Sequence, residues 1–412
     1  MNEHRQPVVS ETKVPFLFPL FYLWTFVLLG RPQDYLIILA SLRPALVLGI
    51  LTLVAFFISY SRVTYEGVFG DTQTKLFFAL TCLMVIEIPF SIYPRGSFMA
   101  VFKDYSMVVL FFYMFFIMVN SVEKVLTLLL VGCLSTGLYS VFALISGGPL
   151  GQRLQFGGVF DPNDLSFFTL SFLPFNLLFV RRGVSFWKKI ACTVSFVASV
   201  IVILQSGSRG GLLGLLAAFL VLFVTRTHTV RFSTKGLLMV LCAILVMFNF
   251  SKIDISRYKS ITNIQGDYNV YDETGRIAIW KIGMKAMLAN PLTGVGPGCF
   301  NEAVGRDRKQ RGLVSQRWQA PHNMLVQIGT ETGVIGLFLF LLMSLNVFRS
   351  FGRAKKKSAS EDIIRVGEMG RIGFLGHFIS AMFLSHAYSF YWAFYIVLSA
   401  VVNQLLVREG SQ

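Results

Sequence analysis

The sequence predicts an all-α integral membrane protein, with about 12 transmembrane helices and one large outward loop containing short amphipathic helices. Three observations carry this prediction. Of 412 residues, 54% are hydrophobic and only 14% charged, with a mean hydropathy of +0.64. That is more apolar surface than a soluble domain can bury. Apolar runs of membrane-spanning length recur along the chain. The loops between them alternate between rich and poor in Lys and Arg.

The runs are 14–30, 44–60, 75–92, 99–119, 124–146, 165–180, 188–205, 209–225, 236–250, 323–348, 372–389 and 391–407. Several lie near the short limit for a spanning helix, about 17 residues. Residues 1–13 are polar and lead directly into the first run without a small-residue cleavage site, so that run reads as a retained span, not a removed signal peptide. Segment 35–42, between Arg31-Pro32 and Arg43-Pro44, is too short to span and is expected in the interface. The last two spans divide near 388–391. Three regions result: 1–250 with helices 1–9, a hydrophilic loop 251–321 with interfacial helices, and 322–412 with helices 10–12.

One set of loops holds Arg181, Arg182, Lys188, Lys189, Arg226, Arg231, Lys235, Arg349, Arg353, Lys355, Lys356, Lys357, Arg365 and Arg371. The opposite set holds Arg95, Lys103, Arg153 and Arg209. Short basic loops stay in the cytoplasm. Both termini are therefore expected inside, and loop 251–321 outside. In a Gram-negative cell the chain is then a multi-pass inner-membrane protein whose long loop is periplasmic. That loop carries eleven basic residues against six acidic ones. Long loops translocate whatever their charge, so the excess calls for another reason: binding an anion, or resting on lipid headgroups. The net charge of +16 likewise fits anionic lipids, phosphates or acidic glycans. Nucleic acid has little support, because most basic residues sit in short loops between spans. Cys82, Cys133, Cys192 and Cys242 fall in apolar runs and only Cys299 in a polar region, so neither a disulfide framework nor a zinc site is expected.

His322, in Ala320-Pro321-His322-Asn323-Met324, is one of five histidines and stands where the polar loop meets an apolar helix. It either caps that helix or takes a proton at the water–lipid boundary. In Gln205-Ser206-Gly207-Ser208-Arg209-Gly210-Gly211, Ser208 is an N-cap for a helix starting at Arg209. Free N–H groups, glycines and a guanidinium suit a phosphate there; the alternative is an interfacial arginine in a tight turn. Arg276 opens a helix that runs to Asn290-Pro291, with Ile277, Trp280, Met284, Met287 and Leu288 at helical spacing. Such an amphipathic helix suits the outer leaflet, and Arg276 shares a face with Trp280. Leu292-Thr293-Gly294-Val295-Gly296-Pro297-Gly298 is read as a turn, since it follows no strand. Before the run at 165, Asp161 and Asp164 are weak evidence for a metal, and Asn163 or Asp164 reads as a helix cap. Inside the apolar runs, Glu87, Glu331, His377 and His386 are costly to bury. His386 is placed near the outward surface and His377 nearer the cytoplasm. Glu331 lies roughly 13–14 Å beyond His322 along a helix and reads as a hydrogen-bonding anchor.

In order, Ser208-Arg209-Gly210-Gly211, Arg276 with Trp280, the stretch from Asn290-Pro291 to Gly296, and His322-Asn323 with Glu331 and Gly333 resemble the O-antigen ligase/polymerase family of polytopic membrane glycosyltransferases. These motifs cover about 205–340. The resemblance implies about twelve helices and a glycan donor carried on undecaprenyl pyrophosphate. Ligases join a finished glycan to lipid A–core, polymerases extend a glycan by repeat units, and some related enzymes glycosylate proteins. Arg209 and Arg276 align with positions that bind pyrophosphate, and His322 with the catalytic position. Arg153, Asn323, Glu331, His386 and Trp280 are supporting candidates. No metal and no cofactor is expected: the sugar–pyrophosphate bond supplies the activation, the arginines stabilise the leaving group, and a base near neutral pKa takes the acceptor proton. The competing class is a transporter of lipid-linked glycans. It fits less well, because the candidates cluster on one side instead of at the midplane.

Overall fold

The computed structural model describes residues 16–59, 65–147, 153–158, 160–249, 258, 275–313 and 318–410. Residues 1–13, Val159, Lys252, Arg257, Lys259, Thr274 and Arg317, which entered the sequence expectations, lie outside them. The described helices are α1 (Leu17–Gly30), α2 (Pro44–Ser59), α3 (Tyr65–Val68), α4 (Thr72–Glu87), α5 (Pro94–Met99), α6 (Ser106–Met118), α7 (Val122–Ile145) and α8 (Pro162–Phe172). They continue with α9 (Phe186–Gln205), α10 (Arg209–Val224), α11 (Phe232–Asn249), α12 (Arg276–Ala289), α13 (Phe300–Gln310), α14 (Met324–Lys357), α15 (Glu361–Ala381) and α16 (Phe390–Gly410).

Several helices start where a side chain accepts from the otherwise unbonded N–H groups of a first turn. Asp71 serves α4, Ser121 α7, Asp161 α8, Ser208 α10, Asn323 α14 and Ser360 α15. Among the described residues, seven helical stretches are long and apolar enough to cross a membrane: Thr72–Phe90, Pro94–Met118, Val122–Ile145, Phe186–Gln205, Phe232–Asn249, Met324–Lys357 and Phe390–Gly410. Helices α1, α2 and α10 are shorter and apolar.

The two remaining expected runs differ from simple spans. Run 165–180 is α8 followed by 3-10 turns over Leu173–Leu178, because Pro174 brings no N–H to continue the ladder. Run 372–389 is corrected at both ends: α15 begins at Glu361 and stops at Ala381, and 382–389 form a turn. Hydropathy missed the first eleven residues because five of them are charged. Glu368 is nevertheless buried, accepting from the backbone N–H groups of His228 (2.8 Å) and Thr229 (3.1 Å) and pairing with Lys355 at 3.5 Å. Segment 35–42 holds a 3-10 turn over Ile37–Leu39, as its length allows.

Helix α16 is the axis of the bundle: every residue from 391 to 402 is buried, the pattern of a helix surrounded on all sides. Helices α4, α6, α14 and α15 pack around it. Helix α11 is peripheral and exposes Leu237, Met239, Val240, Met247 and Phe248, a face suited to lipid. Helices α10 and α15 cross at Gly214 and Gly376, where a Cβ on Gly214 would stand 2.5 Å from the Gly376 carbonyl oxygen. Small residues at such crossings let backbones touch.

Helix α14 is broken at Gly333, whose φ of 62° and ψ of −165° belong to a region open essentially to glycine alone. The break frees backbone groups that the stretch 291–296 satisfies. Val295 and Gly296 donate their N–H groups to the carbonyls of Thr330 (2.9 Å) and Glu331 (3.0 Å), and Val334 donates to that of Pro291 (2.8 Å). The glycine-rich turn is thus a clamp on a broken helix.

Candidate active site

The site begins with a division of labour between neighbours. Asn323, not His322, caps α14: its Oδ1 accepts from the N–H groups of Leu325 (2.9 Å) and Val326 (3.1 Å). Asparagine is a strong cap and histidine is not, so the capping alternative for His322 is set aside. His322 itself adopts φ 46°, a left-handed conformation that histidine tolerates better than most residues. Two contacts hold that turn. The Trp280 indole N–H donates to the Pro321 carbonyl at 2.7 Å, and the His322 N–H donates to Ser385 Oγ at 3.0 Å. Trp280 comes from α12 and Ser385 from the turn 382–389, so two separate elements brace the backbone that carries the imidazole.

The surroundings of His322 favour its neutral form. Partial burial and then the Arg276 guanidinium hold its pKa below the ordinary imidazole value, while Asp161 and Asp164 pull it upward. Arg276 therefore lies within electrostatic reach of His322, one helical turn before Trp280. The two carboxylates arrive from α8. Asp161 is the cap of that helix, accepting from the N–H groups of Asn163 (2.6 Å) and Asp164 (2.8 Å); this corrects the expectation that Asn163 or Asp164 is the cap. Asp164 pairs with His386 Nε2 at 2.9 Å, and the His386 ring stacks on Phe167 with centroids 4.5 Å apart.

Arg209 begins α10 behind its cap Ser208, which accepts from the Gly211 N–H at 3.1 Å. Gly210 and Gly211 serve close packing: a Cβ on Gly210 would stand 2.9 Å from Phe383 Cβ, and one on Gly211 would stand 2.1 Å from Ser166 Oγ. The start of α10 is thus pressed against both α8 and the turn that holds His322. Arg153 ties the same corner together, donating to the Ser206 carbonyl (2.8 Å) and to Asn163 Oδ1 (2.7 Å).

Glu331 lies apart from this group. Its carboxylate accepts from the N–H groups of Gly298 (2.9 Å) and Phe300 (3.3 Å) at the start of α13, where an anion is favoured. It anchors the clamp, as its sequence reading proposed. His377 is fully buried and meets Ser171 Oγ at 2.9 Å, within the bundle. Cys299, placed by sequence in a polar region, is buried against Ser91 and Ser97. Helix α12 packs inward through a different pair of residues from its Trp280–Leu288 stripe. Ile279 and Ile282 pack on Phe300 and Val304, while Met284 and Leu288 remain 52% and 71% exposed.

Sequence reasoning missed Ser385 and the pairing of Asp164 with His386, since both contacts span more than sixty residues of chain. It also missed a cluster at the end of α1. Arg31 pairs with Asp34 at 2.8 Å, Asp34 meets the Tyr139 hydroxyl at 2.9 Å, and the Arg31 guanidinium sits over the Phe160 ring. Phe160 directly precedes Asp161, so this cluster lies beside the start of α8. The available signal was a charged pair, Arg31 and Asp34, flanking proline directly after an apolar run.

No curated protein matches the chain. The family model described as O-antigen ligase matches residues 194–341. This interval holds the turn before α10, helix α12, the clamp and the His322 turn, and it supports membrane glycosyl transfer of the ligase or polymerase type. With its apolar helices the chain is a multi-pass membrane protein, and its segment 194–341 is similar to the O-antigen ligase family.

Proposed function

We propose that the protein is an inverting, metal-independent glycosyltransferase of about twelve spans in the bacterial inner membrane. It moves a glycan from undecaprenyl pyrophosphate to a lipid A–core acceptor at the periplasmic face. The observation that carries this reading is the bracing of the His322 turn by two other elements beside Arg276, with the imidazole pKa held below its ordinary value. A neutral imidazole accepts the proton of an acceptor hydroxyl as that oxygen attacks the anomeric carbon. The new carbon–oxygen bond forms as the bond to pyrophosphate breaks, and the electron pair leaves on the lipid pyrophosphate. Arg276 and Arg209 offset the charge that develops on it. Attack opposite the leaving group inverts the anomeric centre.

A polymerase would use the same chemistry on a glycan acceptor; the basic outward residues favour an acceptor bearing phosphates. Silver-stained lipopolysaccharide from a deletion strain separates the two. A ligase mutant lacks all capped forms, whereas a polymerase mutant keeps a single repeat on the core. The central test is His322→Ala in purified protein given defined donor and acceptor. Transfer is expected to vanish with the fold intact, and near-normal transfer would remove the base assignment. Transfer in detergent, without vesicles, rules out a pure transporter. Activity is expected to survive EDTA, and a strict divalent-ion requirement would overturn the arginine account.

A further inference from the structure

Helix α12 has a second functional face. At 100° per residue, Arg276 and Trp280 lie within about 40° of one another, whereas Ala278, Lys281 and Ile282 lie about 120–160° from Arg276. On that far side, between α12 and α13, is a cavity of about 370 Å³, within the size range of small-molecule sites. Among the described residues, Lys281, Arg308 and Arg311 line it together with the carboxylate of Asp307 and the apolar side chains of Ala278 and Ile282. The carboxylate is already committed: Arg311 Nε stands 2.8 Å from it and Lys285 3.5 Å. Asp307 therefore orients the Arg311 fork, and the described lining residues carry more cations than anions. Arg308 is 2% exposed, and the Gln319 amide oxygen accepts from its guanidinium at 2.6 Å, fixing a planar donor in the wall. Guanidinium forks with an ammonium are the donor set that selects phosphate.

The surface of α12 next to the cavity indicates what carries that phosphate. Met284 and Leu288 are exposed on the arc of α12 that runs from Trp280 round to Lys281. An exposed apolar stripe edged by lysines is the signature of a surface resting on lipid. We propose that this cavity binds a phosphate group borne by a lipid and that, resting on the transfer reading above, this lipid is the acceptor. The site then holds the acceptor on one face of α12 while the donor pyrophosphate meets Arg276 on the other.

The test uses the full chain in nanodiscs of phosphatidylcholine, with a phosphorylated core glycolipid as acceptor and the same glycolipid stripped of phosphate. Lys281→Gln with Arg311→Gln is expected to raise the KM for the phosphorylated acceptor about tenfold or more, the loss of two charge-assisted contacts. kcat and the KM for donor should hold, and the stripped acceptor should not distinguish variant from wild type. An unchanged acceptor KM in the variant overturns the proposal. Adding phosphatidylglycerol separates the sources. If it displaces the acceptor from wild type only, the cavity takes any lipid phosphate and the acceptor assignment falls. Retention of glycolipid by His322→Ala, read by native mass spectrometry, is independent of turnover. Phosphate-dependent retention without transfer in wild type would sink the transfer reading and keep the cavity, and retention blind to phosphate would sink the cavity.

Discussion

Replacing Trp280 with phenylalanine isolates the contact that braces the His322 turn. The aromatic volume is largely kept, while the donor 2.7 Å from the Pro321 carbonyl is lost. Pro321 is buried, so its carbonyl gives up a partner that water replaces poorly. Leaving such an acceptor unsatisfied costs about 1–3 kcal/mol. Because Pro321 immediately precedes the left-handed His322, relaxation of that peptide is expected to appear as misplacement of the imidazole. If the whole cost falls on the transition state, the rate drops about 5- to 150-fold. The assay is single-turnover transfer from a defined lipid-linked donor, with the melting temperature measured on the same preparation. The expected signature is a fall in kcat with little change in donor KM. A rate within twofold of wild type would refute the bracing role, as would a rate loss fully matched by unfolded protein.

Three further outcomes follow from the geometry. Gly333→Ala places a Cβ 2.4 Å from the Pro291 carbonyl in a backbone region reserved for glycine. It should destabilise the protein by about 2–5 kcal/mol, and an unchanged thermal midpoint would show that the helix break is not needed. Asn323→Ala should cost about 1 kcal/mol of stability, with Asn323→Asp near neutral; were His322→Ala the more destabilising change, the cap assignment would be wrong. Arg276→Gln removes a cation that holds the His322 pKa down. The pKa then rises, and the acid limb of the pH–rate profile should move to higher pH, whatever the overall rate. Asp164→Asn removes an anion that pulls the same pKa up and should move the limb to lower pH. Limbs that coincide with wild type in both variants would detach the proton acceptor from His322.

Much of the site was legible because its residues announce themselves locally. Ser208 stands one place before a helix and caps it, the asparagine beside His322 is a better cap than histidine, and Trp280 sits one turn from Arg276. Hydropathy located most of the helices by the same local logic. It failed where burial of polar groups depends on distant partners. The start of α15 reads as cytoplasmic loop until Glu368 finds the backbone of 228–229, and run 165–180 reads as one span until Pro174 interrupts it. The α8 carboxylates were visible as residues, but their neighbours His386 and His322 come from more than 150 positions away.

The sequence by itself determined that the chain is helical and membrane-embedded, that a histidine stands at the edge of a cationic loop, and which family pattern its motifs follow. These properties depend on apolar periodicity, capping chemistry and spacing, which act over a few residues. Only the tertiary structure decided that the glycine-rich stretch clamps a broken helix, that Trp280 and Ser385 share the support of His322, and that α12 presents a cationic cavity on the face opposite Arg276. Each of those results pairs a donor with an acceptor, or a charge with a charge, across elements far apart in the chain. Such partners are fixed by how helices pack, which no local pattern encodes.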